Sequence, residues 1–559
     1  MSNQPWLRHY PEGVQWEVEI EPRPLHCILD EAAARFPNKV YLDFLGRKFT
    51  YAAIASMVDR AAKGFQALGV GKDVKVGLFL SNCPQAVVAF FAILKAGGTV
   101  VNYSPLYSKR ELLEQIEDSQ TDLMVTLAAS ALYPKMRALL DQSRLQKLVI
   151  GTVDEVLPFP KNVLFKIFER HEIAKIDPDE RQISFRQLLD NDGAYDPVET
   201  DPENDIAVLQ YTGGTTGTPK GAMLTHANLY SNIRQVAMWD PGAEPGTERI
   251  IGVLPLFHAF AMSGIMLVGA AWGAEVLLYP RFSIDDLLRD IDKKKATFLP
   301  AVPTMFTAII NHPDLAKYDL SSLRRCVAGG APLPAEIREK FEALTGSTIT
   351  EGYGLTESSP TATIGPVHGL RKEGSIGLPV PDTVITIVDL EDPRKILPIG
   401  EVGEICISGP QVMRGYWRRP DATRDAIVDG RLRTGDIGYM DADGYTFIID
   451  RKKDMILVGG FNVFPRNIEE ALYLHPAVKE VTVIGVPHDY HGETPKAFVV
   501  LKNSDEEIAG EDLRTFLGDH LGRHEIPSEI EFRNELPKTM IGKLSKKELV
   551  AEEQAKLSV

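Results

Sequence analysis

The chain has 559 residues, more than one hydrophobic core ordinarily serves, so two or more domains are expected. Its 44% hydrophobic and 25% charged residues fit a globular protein and exclude a compositionally disordered one. A formal net charge of −16 argues against nucleic acid as a partner, while leaving room for a local basic pocket around nucleotide phosphates.

Between residue 25 and about 280, helical and strand patterns alternate. Leu25–Phe36 and Tyr51–Leu68 carry apolar residues at helical spacing. Lys75–Leu80 reads as a buried strand, Pro84–Lys95 as a helix opened by its proline, and Thr99–Asn102 as a strand. Arg110–Asp118 is helical and Asp122–Thr126 strand-like. Such alternation predicts parallel sheet covered by helices. Residues 158–205 read as an irregular surface excursion rich in Pro, Asp, Glu and Lys. Ala261–Ala274 is apolar but short of the ~20 residues a spanning helix needs, so it reads as a buried helix.

Beyond about 380 the texture becomes β-rich, with short runs at Val384–Val388, Gly403–Ser408 and Tyr445–Ile449. A smaller unit follows, with strands Glu480–Val486 and Lys496–Leu501 and helices near Pro465–Leu474 and Asp512–His520. The expected fold is therefore α/β. Residues 1–449 form a large domain of helix-flanked, parallel-rich sheets with a β-rich subdomain at about 380–449, and 450–559 form a small α+β domain. The four cysteines, Cys27, Cys83, Cys326 and Cys406, include no C-x-x-C pair, so reduced thiols in a cytoplasmic protein are expected. Met1–Glu12 is polar and lacks the apolar run of a signal peptide.

The chemistry announces itself after the strand-like Ile206–Gln210, where the chain reads Tyr211-Thr-Gly-Gly-Thr-Thr-Gly-Thr-Pro-Lys-Gly221. Gly213, Gly214 and Gly217 let backbone amides approach an anion; Thr212, Thr215 and Thr216 add hydroxyl donors, and Lys220 adds charge. A polyphosphate is the natural ligand. The spacing is not G-x-x-x-x-G-K-[ST], because Lys220 stands between a proline and a glycine, so a Walker-type NTPase is excluded.

This loop resembles the signature of the adenylate-forming superfamily of acyl-CoA synthetases, luciferases and peptide-synthetase adenylation domains. Further blocks follow in that family's order: Leu254-Pro-Leu-Phe-His-Ala259, Gly329-Gly-Ala-Pro-Leu333, Glu351-Gly-Tyr-Gly-Leu-Thr-Glu357 and Arg433-Thr-Gly-Asp436. Asp450-Arg-Lys-Lys-Asp454, Gly459-Gly-Phe-Asn462 and Pro537-Lys-Thr-Met-Ile-Gly-Lys543 complete the set. The resemblance is closest to bacterial medium-to-long-chain fatty acyl-CoA ligases. It implies that a carboxylate and ATP form acyl-AMP and pyrophosphate, with Mg²⁺, and that the acyl group then passes to coenzyme A.

The resemblance also implies roles. Glu357 would hold Mg²⁺ and Thr356 would bond the α-phosphate, while Lys543 would bridge carboxylate and α-phosphate during adenylation. Gly330-Ala331-Pro332 and Gly352-Tyr353-Gly354 would wall the adenine slot, with Asp436 and Arg451 holding the ribose and nucleotide. His258 would stand beside the acyl and pantetheine channels. Phe260, Met262, Pro303, Met305 and Gly329 would line an apolar acyl pocket. The C-terminal domain would act as a lid turning about Asp450, bringing Gly459, Gly460 and Phe461 to the coenzyme. Lys546 and Lys547, by contrast, read as surface charges.

One departure stands out. Related ligases show Gly-Tyr-Lys before Ile526-Pro527, where this chain has Arg523-His524-Glu525, which puts lid contacts or CoA affinity in question. Close alternatives are the same chemistry on dicarboxylic or aryl acids, or an acyl-AMP ligase delivering to a carrier protein. A non-catalytic sensor would have eroded Lys543, Glu357 or the loop, and all stand. Peripheral membrane contact suits a fatty-acid enzyme, with Lys161–Lys175 the candidate stretch, and a homodimer is implied because related enzymes often dimerise.

Overall fold

The computed structural model describes residues 4–212, 219–458, 461–488, 492–503, 508–538 and 544–557. Two large sheets dominate. One runs, edge to edge, through Leu378–Pro379, Thr361–Ile364, Thr348–Gly354, Arg325–Gly329, Phe298–Ala301, Arg249–Gly252, Glu275–Leu278, Val40–Phe44 and Arg47–Thr50. Its central strands, from Thr348–Gly354 to Val40–Phe44, are parallel, and antiparallel strands close both edges. The other runs Gly415–Tyr416, Lys220–Thr225, Ile206–Thr212, Thr99–Asn102, Lys75–Phe79, Thr121–Leu127, Lys147–Gly151 and Gln182–Ser184. It is parallel from Ile206–Thr212 onward.

The expected alternation is borne out because it has a physical cause. Parallel strands need crossovers, and the crossover helices cover the sheet faces, so strands such as Lys75–Phe79 are buried throughout. The helix Pro84–Lys95 lies between such layers and is buried along its whole length, including Lys95, whose ammonium is paired with Asp30 and Asp59. The helices Tyr51–Ala67 and Lys109–Ser119 start on the hydroxyl caps of Thr50 and Ser108.

Residues 158–205 are more ordered than the composition suggested. They hold a helix at Lys161–Phe168, a strand at Gln182–Ser184 that adds to the sheet edge, and a capped turn of helix at Phe185–Leu188. The strand Gln182–Ser184 and the turn Phe185–Leu188 are fixed by sheet pairing and a capping box, which leave no periodic trace in a polar stretch. Ala261–Ala274 is a buried helical run, but it is interrupted by a π-helical segment, Met262–Leu267, between Ala259–Ala261 and Val268–Trp272.

An antiparallel sheet of Val384–Val388, Gly403–Ser408, Arg431–Met440, Ile427–Val428 and Thr446–Arg451 follows. The main core spans Trp6 to Tyr445. After it come a separate sheet of Ile456–Val458, Phe461–Val463, Val478–His488, Gly492–Leu501 and Glu529–Phe532, and two smaller cores of its own around Ile468 and Phe498.

Candidate active site

In α/β sheets, ligands gather beyond the carboxyl ends of parallel strands. Here Arg325–Gly329 and Thr348–Gly354 end side by side, with Gly329 opposite Gly352. The Gly330-Ala331-Pro332 turn leaves the first strand toward the helix Ala335–Thr345, and Leu333 N–H donates to Glu351 Oε2 on the second at 3.3 Å. Gly354 lies so close to the chain at Pro360 that a Cβ would sit 1.7 Å from its carbonyl oxygen. Only glycine fits, and that keeps the turn Thr356–Ser358 tight against the strand end.

Tyr353, Asp436 and Arg451 are brought together. The Tyr353 hydroxyl donates to Asp436 Oδ2 at 2.6 Å, and Arg451 Nε stands 2.9 Å from Oδ1. Asp436 and Arg451 face each other across neighbouring antiparallel strands, and Asp436 is buried. Burial, with the Asp436 carboxylate beside it, pushes the Tyr353 hydroxyl well above its ordinary value, so it remains a donor. Both carboxylate oxygens are thus already held in place.

A second group forms around Glu357. The Tyr416 hydroxyl donates to Glu357 Oε1 at 2.7 Å, and Met413 N–H donates to the Glu357 carbonyl at 2.8 Å. Lys220 Nζ lies 5.1 Å from the centre of the Tyr416 ring, within cation–π range. Lys220 begins the strand Lys220–Thr225 and pairs with Thr212, the last residue of Ile206–Thr212. Their connection holds Gly213, Gly214, Thr215, Thr216 and Gly217, which lie outside the described residues. Thr356, half-buried, opens the turn that carries Glu357.

His258 is half-buried, its ring 4.7 Å from that of Phe257, and it immediately precedes the helical run. Phe260 packs on Gly329, where an added Cβ would come within 2.9 Å of the ring. Met262 is fully buried, with Asn102 Nδ2 3.4 Å from its sulfur. Pro303 opens the helix Pro303–Ile310 that carries buried Met305, and this helix follows Phe298–Ala301, the strand beside Arg325–Gly329.

Three buried amides that sequence reasoning passed over hold this region together. Asn82 donates to the carbonyls of Gly252 (3.3 Å) and Leu254 (2.9 Å) and accepts from Leu256 N–H (2.8 Å). Asn102 donates to Gln210 Oε1 at 2.8 Å, and Gln210 Nε2 donates to the Phe257 carbonyl at 2.9 Å. The signal was a lone amide at the end of, or inside, an otherwise apolar strand, since buried amides are kept only with partners.

Asp450 is buried, which raises its pKa, and it accepts from the backbone of Arg451 (2.7 Å) and Arg466 (2.8 Å). It therefore ties the strand Thr446–Arg451 to the start of the helix Pro465–Tyr473. Lys546 is not the plain surface charge expected from sequence: it is half-buried, 3.1 Å from Glu469, whereas Lys547 is exposed. Gly459, Gly460 and Lys543 lie outside the described residues. Phe461 is exposed, and its ring stands 5.0 Å from that of His524, so the altered Arg523-His524-Glu525 segment touches the loop expected to serve the coenzyme.

Comparison with known proteins points one way. The AMP-binding enzyme family matches residues 29–417, and its AMP-binding enzyme C-terminal domain matches 467–543. The long-chain-fatty-acid–CoA ligase of Bacillus subtilis is 41% identical over 555 residues, covering 99% of this chain and 98% of that protein. The ligase of the same name from Escherichia coli O157:H7 is 39% identical over 565 residues, covering 99% of each. Among solved structures, an anthranilate CoA ligase in complex with anthranoyl-AMP has a TM-score of 0.85 at 26% identity, covering 97% of this chain and 99% of that one. ATP-bound MatB from Rhodopseudomonas palustris has a TM-score of 0.84 at 28% identity, covering 95% and 99%. The match runs through both parts of the chain and through the strands that carry Tyr353 and Lys220: the protein belongs to the AMP-binding enzyme family.

Proposed function

We propose that the chain is an ATP-dependent acid–CoA ligase, AMP-forming, whose acid is a medium- or long-chain fatty acid. The observation that carries the reading is the convergence of two polar groups at the strand ends. Tyr353–Asp436–Arg451 suits a nucleoside, and Glu357–Tyr416–Lys220, beside the Gly/Thr loop, suits a triphosphate. Full-length relatives named long-chain-fatty-acid–CoA ligases support the acid class.

In the first half-reaction a carboxylate oxygen attacks the α-phosphorus of ATP and pyrophosphate leaves. Both reactants are anionic, so alignment and charge neutralisation dominate the barrier. The 212–217 loop and Lys220 hold the phosphates, and Thr356 donates to the α-phosphate. Lys543 bridges the two reacting anions. The Glu357 carboxylate, oriented by Tyr416, fits Mg²⁺, which takes one or two protein carboxylates beside phosphate oxygens. That ion neutralises phosphate charge when bound. Gly330-Ala331-Pro332 and Tyr353 flank adenine, while Asp436 accepts from the ribose hydroxyls and Arg451 steadies the carboxylate.

In the second half-reaction the CoA sulfur attacks the acyl carbon and AMP leaves. Gly459, Gly460 and Phe461 would approach the pantetheine arm after the unit beginning at Asp450 has turned. His258 stands between acyl and coenzyme channels. Phe260, Met262, Pro303, Met305 and Gly329 are all apolar, which favours an alkyl chain over a second carboxylate. The division into 1–449 and 450–559 is part of the same reading, and the separate small cores after Ile456 support it.

The reading includes a homodimer, which sedimentation would test, and a cytoplasmic place with peripheral membrane contact. Among the described residues no helix is long and apolar enough to cross a membrane. The deciding experiment gives the protein ATP, Mg²⁺ and CoA with graded mono- and dicarboxylic acids, benzoate and coumarate, and reads products by mass spectrometry. Long-chain acyl-CoA with AMP bears the proposal out. Acyl-AMP without thioester would point to a carrier-protein acceptor instead.

A further inference from the structure

A buried amide inside an apolar strand is kept only where both its ends have partners. Gln210 is such an amide. It follows the fully buried Ala207, Val208 and Leu209 on the strand Ile206–Thr212, two residues before the strand's end. Its Oε1 accepts from Asn102 Nδ2 at 2.8 Å, and its Nε2 donates to the Phe257 carbonyl at 2.9 Å. Parallel pairing of Val100 with Val208 and of Val101 with Leu209 sets Asn102 beside it. Asn102 is held in turn: its carbonyl accepts from Gln115 Nε2 at 3.0 Å, and its own Nδ2 lies 3.4 Å from the Met262 sulfur. All three amides are buried.

The far end of this chain of amides is where it bears on the reaction. A peptide unit is planar, so holding both its carbonyl and its N–H fixes the Cα that follows. The Phe257–His258 unit is held at both: its carbonyl by Gln210, and its N–H by the Pro255 carbonyl at 3.0 Å. The next unit is held through the His258 carbonyl, which accepts from Met262 N–H at 2.9 Å. With both flanking units fixed, the direction in which His258 leaves the backbone is fixed as well. Pro255 and Met262 belong to the same segment as His258 and would move with it. Of these three ties, that of Gln210 alone comes from the other large sheet. A side chain that serves a reacting group has to be held within about 0.5 Å of its productive place. The Gln210 tie therefore sets the distance between the imidazole and the strand Ile206–Thr212, whose next residues in sequence are the Gly/Thr loop.

We propose that Gln210, backed by Asn102, is a positioning residue for the first half-reaction: it registers His258, and the acid beside it, against the strand that leads to the Gly/Thr loop. The inference rests on the ligase reading and deepens it, by naming what keeps the acid side and the phosphate side of the site in step.

The test follows acyl-AMP formation by the full chain in rapid quench, with ATP, Mg²⁺ and the acid that the wild type turns over best. Calorimetry reads ATP affinity separately. Gln210→Met keeps the length of the side chain and drops both hydrogen bonds. It should lower kcat/KM for the acid about tenfold and leave the Kd for ATP within about twofold of the wild-type value. In a His258→Ala background the same substitution should cost less than about twofold, because no imidazole remains for it to place. A merely structural role would cost the same in both backgrounds. Asn102→Ala spares the bond to Phe257 and removes its support, so it should show a smaller fall, about threefold. It is paired with His258→Ala in the same way, and it carries the test if Gln210→Met does not fold. Equal losses with and without His258, a Kd for ATP that rises as far as kcat/KM for the acid falls, or wild-type rates in both variants overturn the proposal. A wild type that forms no acyl-AMP with any acid refutes the ligase reading, and this inference with it; additive losses in an active enzyme refute the inference alone.

Discussion

Asp436→Asn tests the nucleoside side of the proposal most sharply, because asparagine keeps the shape and one acceptor oxygen but removes the charge. In the structure the carboxylate is buried, held by Tyr353 at 2.6 Å and by Arg451 at 2.9 Å. A hydrogen bond to a charged group contributes about 1.5–3 kcal/mol, against about 0.5–1.5 for a neutral one. Two ribose hydroxyls donating to Asp436 would therefore lose about 2 kcal/mol in the variant, the low end applying because Arg451 already shares the charge. That corresponds to roughly a thirtyfold rise in the Kd for ATP. Arg451 is about half-exposed, so its lost pairing should cost the fold less than about 1 kcal/mol, and a thermal melt should move little. The assay is calorimetric titration with ATP and with 2′,3′-dideoxy-ATP. The variant should lose affinity for ATP while both proteins bind the dideoxy analogue equally weakly. Equal losses for both nucleotides, or an unchanged Kd for ATP, would refute the assignment of Asp436 to the ribose.

Lys543→Ala should cripple acyl-AMP formation, by at least about a hundredfold, yet spare thioester formation from supplied acyl-AMP; equal loss of both half-reactions would remove Lys543 from its role. His524→Ala should act the other way, slowing thioester formation and letting acyl-AMP accumulate, because its ring supports Phe461; pre-steady-state quench separates the two steps. Gly354→Ala should lower stability by about 2 kcal/mol or more, since its methyl would meet the Pro360 carbonyl, and a denaturant titration reads this directly. Stability should also fall in acid through His226. Burial holds this imidazole neutral, with a pKa lowered to about 3, and its Nδ1 accepts from Leu25 N–H at 3.0 Å. The unfolded chain takes up the proton below about pH 6.5, the folded one only near 3, so stability is present above the first value and lost as pH falls toward the second. His226→Gln should flatten that part of the profile, and unfolding curves across it would show whether it does.

The sequence made the fold legible wherever a period or a punctuating residue carried the information. Pro84–Lys95 and Thr99–Asn102 have the same bounds in the structure as in the sequence reading, because a proline start and a short apolar run leave little choice. The two groups at the site were legible as motifs but not as geometry. Nothing in the Gly-Tyr-Gly run says that Tyr353 reaches Asp436, 83 residues on, and nothing around Glu357 points to Tyr416. Those pairings come from sheet order, which periodicity does not encode. Lys546 was misjudged for a related reason: a cation beside other cations looks solvated until folding brings Glu469 against it. The helix Lys161–Phe168 was passed over because its short apolar run sits inside a stretch otherwise rich in Pro, Asp, Glu and Lys, although Phe165 meets the main core.

Asn82 has a consequence for how this enzyme could change its diet. One amide, rooted just after a strand of the sheet that carries Ile206–Thr212, grips three alternate positions, Gly252, Leu254 and Leu256, of the segment leading from the other sheet to His258. Such a cross-brace fixes the gap between the sheets, so a longer or bulkier acid cannot be admitted by spreading the walls. Adaptation to new acids would have to proceed by carving or filling with side chains and, on the proposal that Phe260 and Gly329 line the acyl pocket, their contact is the natural gauge. Directed evolution that leaves Asn82 alone and varies those positions should shift chain-length preference in small steps, whereas loosening the brace should blur selectivity altogether.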